Sequence, residues 1–199
     1  MSKIRAAVTA VEGYVPDYIL TNDELSRMVD TNDEWIMTRI GIKERRILKG
    51  EKGPSDMAEI VVKRILEKKN LSPDSIELVI CCTVTPDMVF PATANIIAHK
   101  CGIKNGFGFD VNAGCSGFLY GLTTASKYIE SGFVKRALVI GAEKMSAIVN
   151  YEDRATCPIF GDGAAGVLLE ATEEPYGLMD EILCSDGEGV KHLHQVAGG

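Results

Sequence analysis

Short apolar runs alternate along the chain with stretches whose apolar residues recur every three or four positions, a pattern that predicts strands separated by helices. Ile4 to Val11 reads as a buried strand ending in a Gly13–Pro16 turn. Thr21-Asn-Asp-Glu24 has the form of a capping box and predicts a short helix through Val29. The acid-rich segment from Asp30 to Glu34 opens another helix, which runs through Trp35 to about Ile40 and stops at Gly41. Ser55 is placed to cap a third helix, where Met57, Ile60, Val61 and Ile65 share one face up to Asn70. Leu78 to Cys82 reads as an interior strand, Ala92 to Cys101 as helix and Gly106 to Val111 as strand. From Cys115 onward, Phe118, Leu122, Ala125 and Ile129 line one side of a helix that ends near Gly132. Ala137 to Ala142 and Val167 to Ala171 complete the strands. This order predicts an α/β layer fold around a largely parallel sheet.

Composition narrows the class. With 199 residues, 46% hydrophobic and 25% charged, the sequence is that of a globular protein and not of a disordered tail. A formal net charge of −7 argues against a general nucleic-acid surface. No stretch approaches the ~20 uninterrupted apolar residues of a membrane span. The first apolar run is broken by Arg5, Glu12 and Pro16, a poor fit to a signal peptide, so the expected location is the cytoplasm. The six cysteines include no CxxC pair, and His99, His192 and His194 do not stand at zinc-finger intervals from them. Most of these thiols are expected to be reduced and buried, with no metal site.

Four segments carry candidate chemistry. Ala113-Gly-Cys-Ser-Gly117 lies between a predicted strand and a predicted helix, with Cys115 at the helix start. Small neighbours permit a sharp turn, and unpaired helix N–H groups favour a thiolate and supply part of an oxyanion hole. A small-residue junction packing helix on sheet accounts for the same residues without catalysis. Gly161-Asp-Gly163-Ala-Ala-Gly166 matches GxGxxG, but Glu173, Glu174 and Pro175 follow too soon for a phosphate-binding helix, so a strand leaving a glycine turn is the better reading. Arg39 to Lys52 holds six basic and two acidic residues, the pattern of a solvated loop. Directly before it stands Trp35, the only tryptophan, and a flat aromatic near Arg39 suits an adenine with phosphates. Adjacent Cys81 and Cys82 face opposite sides of a strand and read as packing, as does His99 in its helix. His192 and His194 alternate on a presumed strand face without a visible third ligand.

Taken together, Asp30-Thr-Asn-Asp-Glu-Trp-Ile-Met-Thr-Arg-Ile-Gly41, Phe90-Pro91, Asn112-Ala-Gly-Cys-Ser-Gly-Phe118, Asp153-Arg154 and Phe160-Gly-Asp-Gly163 resemble the β-ketoacyl-acyl-carrier-protein synthase III family, in the family's order. The resemblance implies a thiolase-type layered α/β fold of two similar halves, each a mixed five-stranded sheet between helices, assembled as a homodimer. It implies no cofactor, acyl-CoA as substrate and malonyl-acyl carrier protein as partner, with neither nucleic acid nor membrane involved. Cys115 matches the nucleophile that accepts the acyl group. Trp35 and Arg154 match residues stacking on either side of the CoA adenine, Thr31 and Arg39 match further nucleotide contacts, and Phe90 matches a residue shaping the partner's acyl pocket.

Two departures from the family pattern stand out. Ala155 replaces a glycine common beside the CoA arginine. The family's catalytic His and Asn lie in the second half, and none of His99, His192 or His194 matches that histidine. Residues 1–171 are therefore expected to form the first half, and residues 172–199 a connection and the beginning of a second half that is mostly missing. This chain alone is then expected not to condense. Other readings are a different thiolase-fold, CoA-dependent condensing enzyme, or a non-catalytic fragment that binds CoA or carrier protein.

Overall fold

The computed structural model describes residues 4–195. The described residues form seven strands: β1 (Arg5–Tyr14), β2 (Tyr18–Thr21), β3 (Glu44–Ile47), β4 (Leu78–Cys82), β5 (Phe107–Val111), β6 (Arg136–Lys144) and β7 (Asp162–Thr172). The α-helices are α1 (Asn22–Leu25), α2 (Asp33–Ile40), α3 (Pro54–Lys69), α4 (Thr93–Lys100) and α5 (Gly117–Glu130). Five strands build one sheet in the order β1-β7-β6-β4-β5, while β2 and β3 pair as a separate antiparallel ribbon. β4 runs parallel to both β5 and β6, whereas β7 runs antiparallel to β6 and β1. The sheet is therefore mixed, as the resemblance implies, and less parallel than the strand–helix alternation suggests.

Both faces of this sheet are covered, which explains why Leu-Val-Ile-Cys-Cys in β4 is apolar throughout. Val79 and Cys81 point to the layer of α3 and α4, among Met57, Val61, Ile65 and Ile97. Leu78, Ile80 and Cys82 point to α5, among Ala125 and Ile129. The two cysteines thus pack on opposite sides, as their adjacency predicts. A third cluster, of Leu20, Leu25, Ile36, Ile47 and Cys157, joins the β2–β3 ribbon to α1 and α2.

Several boundaries differ from the sequence pattern. Thr21 does cap α1, accepting from the Glu24 N–H, but the helix ends at Leu25 and isolated turns carry the chain on to Val29. α3 begins at Pro54 behind Gly53, and Ser55 lies inside its first turn, where its hydroxyl donates to Asp87 at 2.7 Å. α5 begins at Gly117, with Cys115 in the 3-10 turn Gly114–Ser116 before it. The glycine-rich stretch is neither a turn nor a phosphate loop, because β7 starts at Asp162 and no helix follows. Gly166 is there for close packing: a Cβ would meet Ile140 at 3.1 Å and Val61 at 3.3 Å. The presumed strand around His192 and His194 is a 3-10 turn (Gly187–Lys191) followed by irregular chain. Residues 196–199 of that expectation lie outside the described residues. Among the described residues, no group of three or more His, Cys, Asp or Glu side chains is placed to hold a metal, and no helix is long and apolar enough to cross a membrane.

Two features of this core can be tested. On α5, a Cβ at Gly121 would lie 2.5 Å from Cys82 Sγ, so the helix sits closer to β4 than any larger residue permits. Gly121→Ala is expected to cost about 1–3 kcal/mol of unfolding free energy, and Cys82→Ala in the same chain to recover part of it; a neutral single substitution in denaturant melts would contradict the packing. On β7, burial raises the Glu170 pKa, but bonds from Arg136, Thr9 and Lys69 outweigh it and hold the carboxyl at about 2 against an ordinary 4.5. A depressed carboxylate stabilises the fold above the unfolded value and loses that contribution as pH falls through the folded one. Glu170→Gln is accordingly expected to lower stability near neutrality by about 1–2 kcal/mol after solvent screening. The deficit should shrink from about pH 4.5 down to about 2, and a pH-independent deficit would contradict the assignment.

Candidate active site

The carboxyl ends of β4, β5 and β6 share one edge of the sheet, and the antiparallel partner β7 begins there. Segments leaving this edge carry Phe90, Cys115 and Arg154, the usual location for ligands in such sheets, whereas Thr31, Trp35 and Arg39 come from in and before α2, between the ribbon strands. Backbone N–H groups at strand ends need acceptors, and here carboxylates supply them. Glu143, at the end of β6, accepts from the N–H of Val84 at 2.8 Å and of Thr85 at 3.1 Å, and also from the Thr85 hydroxyl. Asp110 on β5 accepts from the N–H groups of Thr93 and Ala94 at 2.7 and 2.8 Å, capping α4. Asp162 accepts from Leu48 N–H and Ser146 N–H, both at 2.8 Å, tying the ribbon and the end of β6 to β7.

On this frame the chain turns sharply after β5. Gly114 takes a left-handed φ of 54°, and the following turn presents Cys115 to solvent. The small residues predicted to permit such a turn do so. Gly117 is buried against Cys82 and Val111, so the helix start is pinned to the sheet while the thiol stays outside. Cys184 is also exposed; the remaining four cysteines are buried. Burial pushes the Cys82 thiol up to about 12 and Cys101 to about 11, and raises Cys81 and Cys157 as well.

The second assembly joins residues far apart in sequence. Asn32 caps α2 by accepting from the Trp35 N–H at 2.8 Å, and Gly41 ends the helix in a left-handed conformation. Arg39 lies one turn beyond Trp35 on the same helix side. Arg154 comes from the loop between β6 and β7, and its guanidinium carbon stands 4.4 Å from the centre of the Trp35 ring. An exposed ion pair of 3.8 Å links it to Asp30. The expected positions on either side of an adenine are thus in direct mutual contact here. Asp153 shapes the Arg154 loop by accepting from Ala155 N–H at 2.9 Å and the Thr156 hydroxyl at 2.5 Å, bonds that hold its carboxyl below the usual range. Just before α2, the Thr31 hydroxyl oxygen is shielded from solvent and has no hydrogen-bond partner among the described residues.

Phe90 stands apart from both assemblies, in the loop after β4, where it and Val89 are 87% and 86% exposed. Asp87 fastens that loop to the first turn of α3 by accepting from the Ser55 N–H at 3.2 Å.

The basic run Arg39–Lys52 is not wholly a solvated loop. It contains β3, and Arg45 is only 3% exposed. Its Nε donates to Pro158 O at 2.7 Å and its Nη2 to Asn22 Oδ1 at 2.6 Å. Asn22 in turn donates to Asp33 Oδ1 at 2.7 Å. Burial lowers the Arg45 pKa. Asn22 lies in the capping box and Asp33 in the acidic helix start, but neither motif points to this role, and for Arg45 the only signal is a period-two alternation in Glu-Arg-Arg-Ile that places a charge on the inner face.

A family model described as 3-oxoacyl-[acyl-carrier-protein] synthase III matches residues 109–187. A β-ketoacyl-[acyl-carrier-protein] synthase III of Phocaeicola vulgatus is 58% identical over all of this chain and 60% of its own length. The Chlorobaculum tepidum protein of the same name is 51% identical over 98% of this chain and 60% of its own. Among solved structures, the synthase III of Thermus thermophilus matches with a TM-score of 0.89 at 36% identity, covering 96% of this chain and 59% of its own. That of Aquifex aeolicus gives 0.82 at 46% identity, over 85% and 55%. The chain spans about 60% of the length of the curated relatives it matches.

Native-state alkylation tests the thiol assignment. Iodoacetamide is expected to modify Cys115 and Cys184 alone, the buried four reacting only after unfolding. Peptide mapping that finds Cys115 protected in the folded chain would contradict its placement.

Proposed function

Because the chain belongs to the β-ketoacyl-[acyl-carrier-protein] synthase III family, we propose that it loads an acyl group from acyl-CoA onto Cys115, priming decarboxylative condensation with malonyl-acyl carrier protein and so fatty acid synthesis. The observation carrying this reading is that the exposed thiol and the Trp35–Arg154 pair share one sheet edge. Three strand spacings separate β5 from β7, about 14 Å at ~4.8 Å each. Cys115 follows β5 and Arg154 precedes β7, and in CoA an extended pantetheine arm likewise separates the nucleotide from the thioester.

In the loading step, Cys115 Sγ as thiolate attacks the thioester carbonyl. A carbon–sulfur bond forms to Cys115, the bond to CoA breaks, and the departing CoA thiolate takes a proton. N–H groups at the start of α5 stabilise the oxyanion between these events. Trp35 and Arg154 hold the adenine, while Thr31 and Arg39 contact the rest of the nucleotide. In condensation, malonyl carrier protein loses carbon dioxide, its enolate carbon bonds to the acyl carbon, and Cys115 leaves as thiolate. The proposal assigns residues of this chain to the loading step alone, since the His and Asn that the resemblance assigns to decarboxylation have no match among its 199 residues.

Assembly as a cytoplasmic homodimer belongs to the same proposal. Its support is the outer edge of β5, unpaired among the described residues, together with the exposed Val89 and Phe90. Such an edge and such apolar side chains favour a covering partner.

Intact mass after incubation with acetyl-CoA tests the loading reaction. One acetyl group is expected on the chain and none on Cys115→Ser, with no β-ketoacyl product from malonyl carrier protein. An unchanged mass despite CoA binding would replace the enzyme by a CoA-binding module.

A further inference from the structure

We infer that Arg45 is a positioning residue of the nucleotide clamp, registering the loop that carries Arg154 against the helix that carries Trp35. The inference rests on the proposal that Trp35 and Arg154 receive the CoA adenine.

The clamp's visible contacts are too weak to set its geometry. Arg154 is 44% exposed, and the Asp30 side chain it reaches is fully exposed, so their 3.8 Å ion pair is screened and worth little. The buried connection beneath is of another kind. Arg45 stands on β3 between two solvent-facing neighbours, Glu44 and Arg46, and turns inward. On one side its Nε holds Pro158 O, four residues after Arg154, at 2.7 Å. On the other its Nη2 holds Asn22 Oδ1 at 2.6 Å. Asn22 passes the connection on through Nδ2, to Asp33 Oδ1 in the first turn of α2 at 2.7 Å and to Ile42 O beyond its end at 2.9 Å. A third bond, from Nη1 to Leu20 O at 3.3 Å, fixes the fork to β2. Both walls of the clamp therefore hang from one guanidinium, whose own bonds are charge-assisted and buried, with Asn22 carrying the connection on to α2 through part-buried bonds.

This matters because the clamp is closed on itself. A flat ring between Trp35 and Arg154 needs two van der Waals spacings, about 7 Å, against the 4.4 Å present. The Arg154 side chain must swing outward, and it can return over the adenine only if its backbone keeps its distance from α2. Arg45 holds that distance. A lysine retains the charge but cannot make three bonds in a planar fork.

The test compares Arg45→Lys with the unaltered chain for acylation of Cys115 by two donors, acetyl-CoA and the nucleotide-free acetyl thioester of N-acetylcysteamine. Loading from acetyl-CoA is expected to fall roughly 5- to 50-fold through a raised KM, and loading from the nucleotide-free donor to stay within about twofold. Should Arg45→Lys fold poorly, Asn22→Ser severs the same connection and is expected to give the same split. In an Arg154→Ala background, Arg45→Lys should add little, as residues acting through one another do. An equal loss with both donors, or a full additional loss on top of Arg154→Ala, would overturn the inference and leave Arg45 a residue of the fold alone. If Trp35→Ala and Arg154→Ala each leave acetyl-CoA loading untouched, the nucleotide proposal itself fails, an outcome distinct from a failure of Arg45.

Discussion

Every element of this site depends on how the chain satisfies its backbone where the strands stop. β4, β5 and β6 end at one edge, and their ladder bonds end with them. Leaving the emerging N–H groups unpaired under packed loops would cost about 1–3 kcal/mol for each. Glu143, Asp110 and Asp162 remove that cost, each accepting from two or more donors of neighbouring segments. The loops after β4 and β6 and the start of α4 cannot drift without uncovering a carboxylate, while Gly117, buried against Cys82 and Val111, holds the end of the turn bearing Cys115 to the sheet. Preorganisation of this kind is what lets a thiol and its oxyanion donors act without reorganising.

The closeness of α5 to the sheet serves the same end. Gly117 and Gly121 let the helix lie against Cys82, so that α5 starts directly behind the carboxyl end of β5. The burial that makes Cys82 a packing residue also raises its thiol pKa to about 12, whereas Cys115, on the far side of the same junction, remains open to solvent.

The order of strands and helices was legible because it rests on apolar periodicity, which burial on two sheet faces enforces. The β2–β3 ribbon was not, since its inward positions include Arg45 and its helix neighbour Asn22, polar groups that defeat an apolar pattern. The glycine run at β7 resembled a turn because Gly166 is selected for contact with α3, which leaves no local signature. The start of α5 was misplaced by two residues, because the 3-10 turn continues the helical spacing. Spacing alone left Cys115 between nucleophile and packing residue; its exposure was legible only once the turn was built. Trp35 and Arg154 could be paired by family resemblance but not by pattern, their contact being a product of the tertiary fold. The connection beneath them through Arg45, Asn22 and Asp33 has no motif of its own, since a positioning role is defined by bond geometry and not by spacing.

The proposed loading reaction requires a single molecule of CoA to span both assemblies at once. Titrating the chain with CoA while following Trp35 fluorescence and, in parallel, the alkylation rate of Cys115 measures the two ends of that span independently. Superimposable curves, with the thiol shielded at the concentration that perturbs the indole, are the outcome the account requires. A change at Trp35 with Cys115 as reactive as before, or shielding of Cys115 with the indole unperturbed, would contradict it.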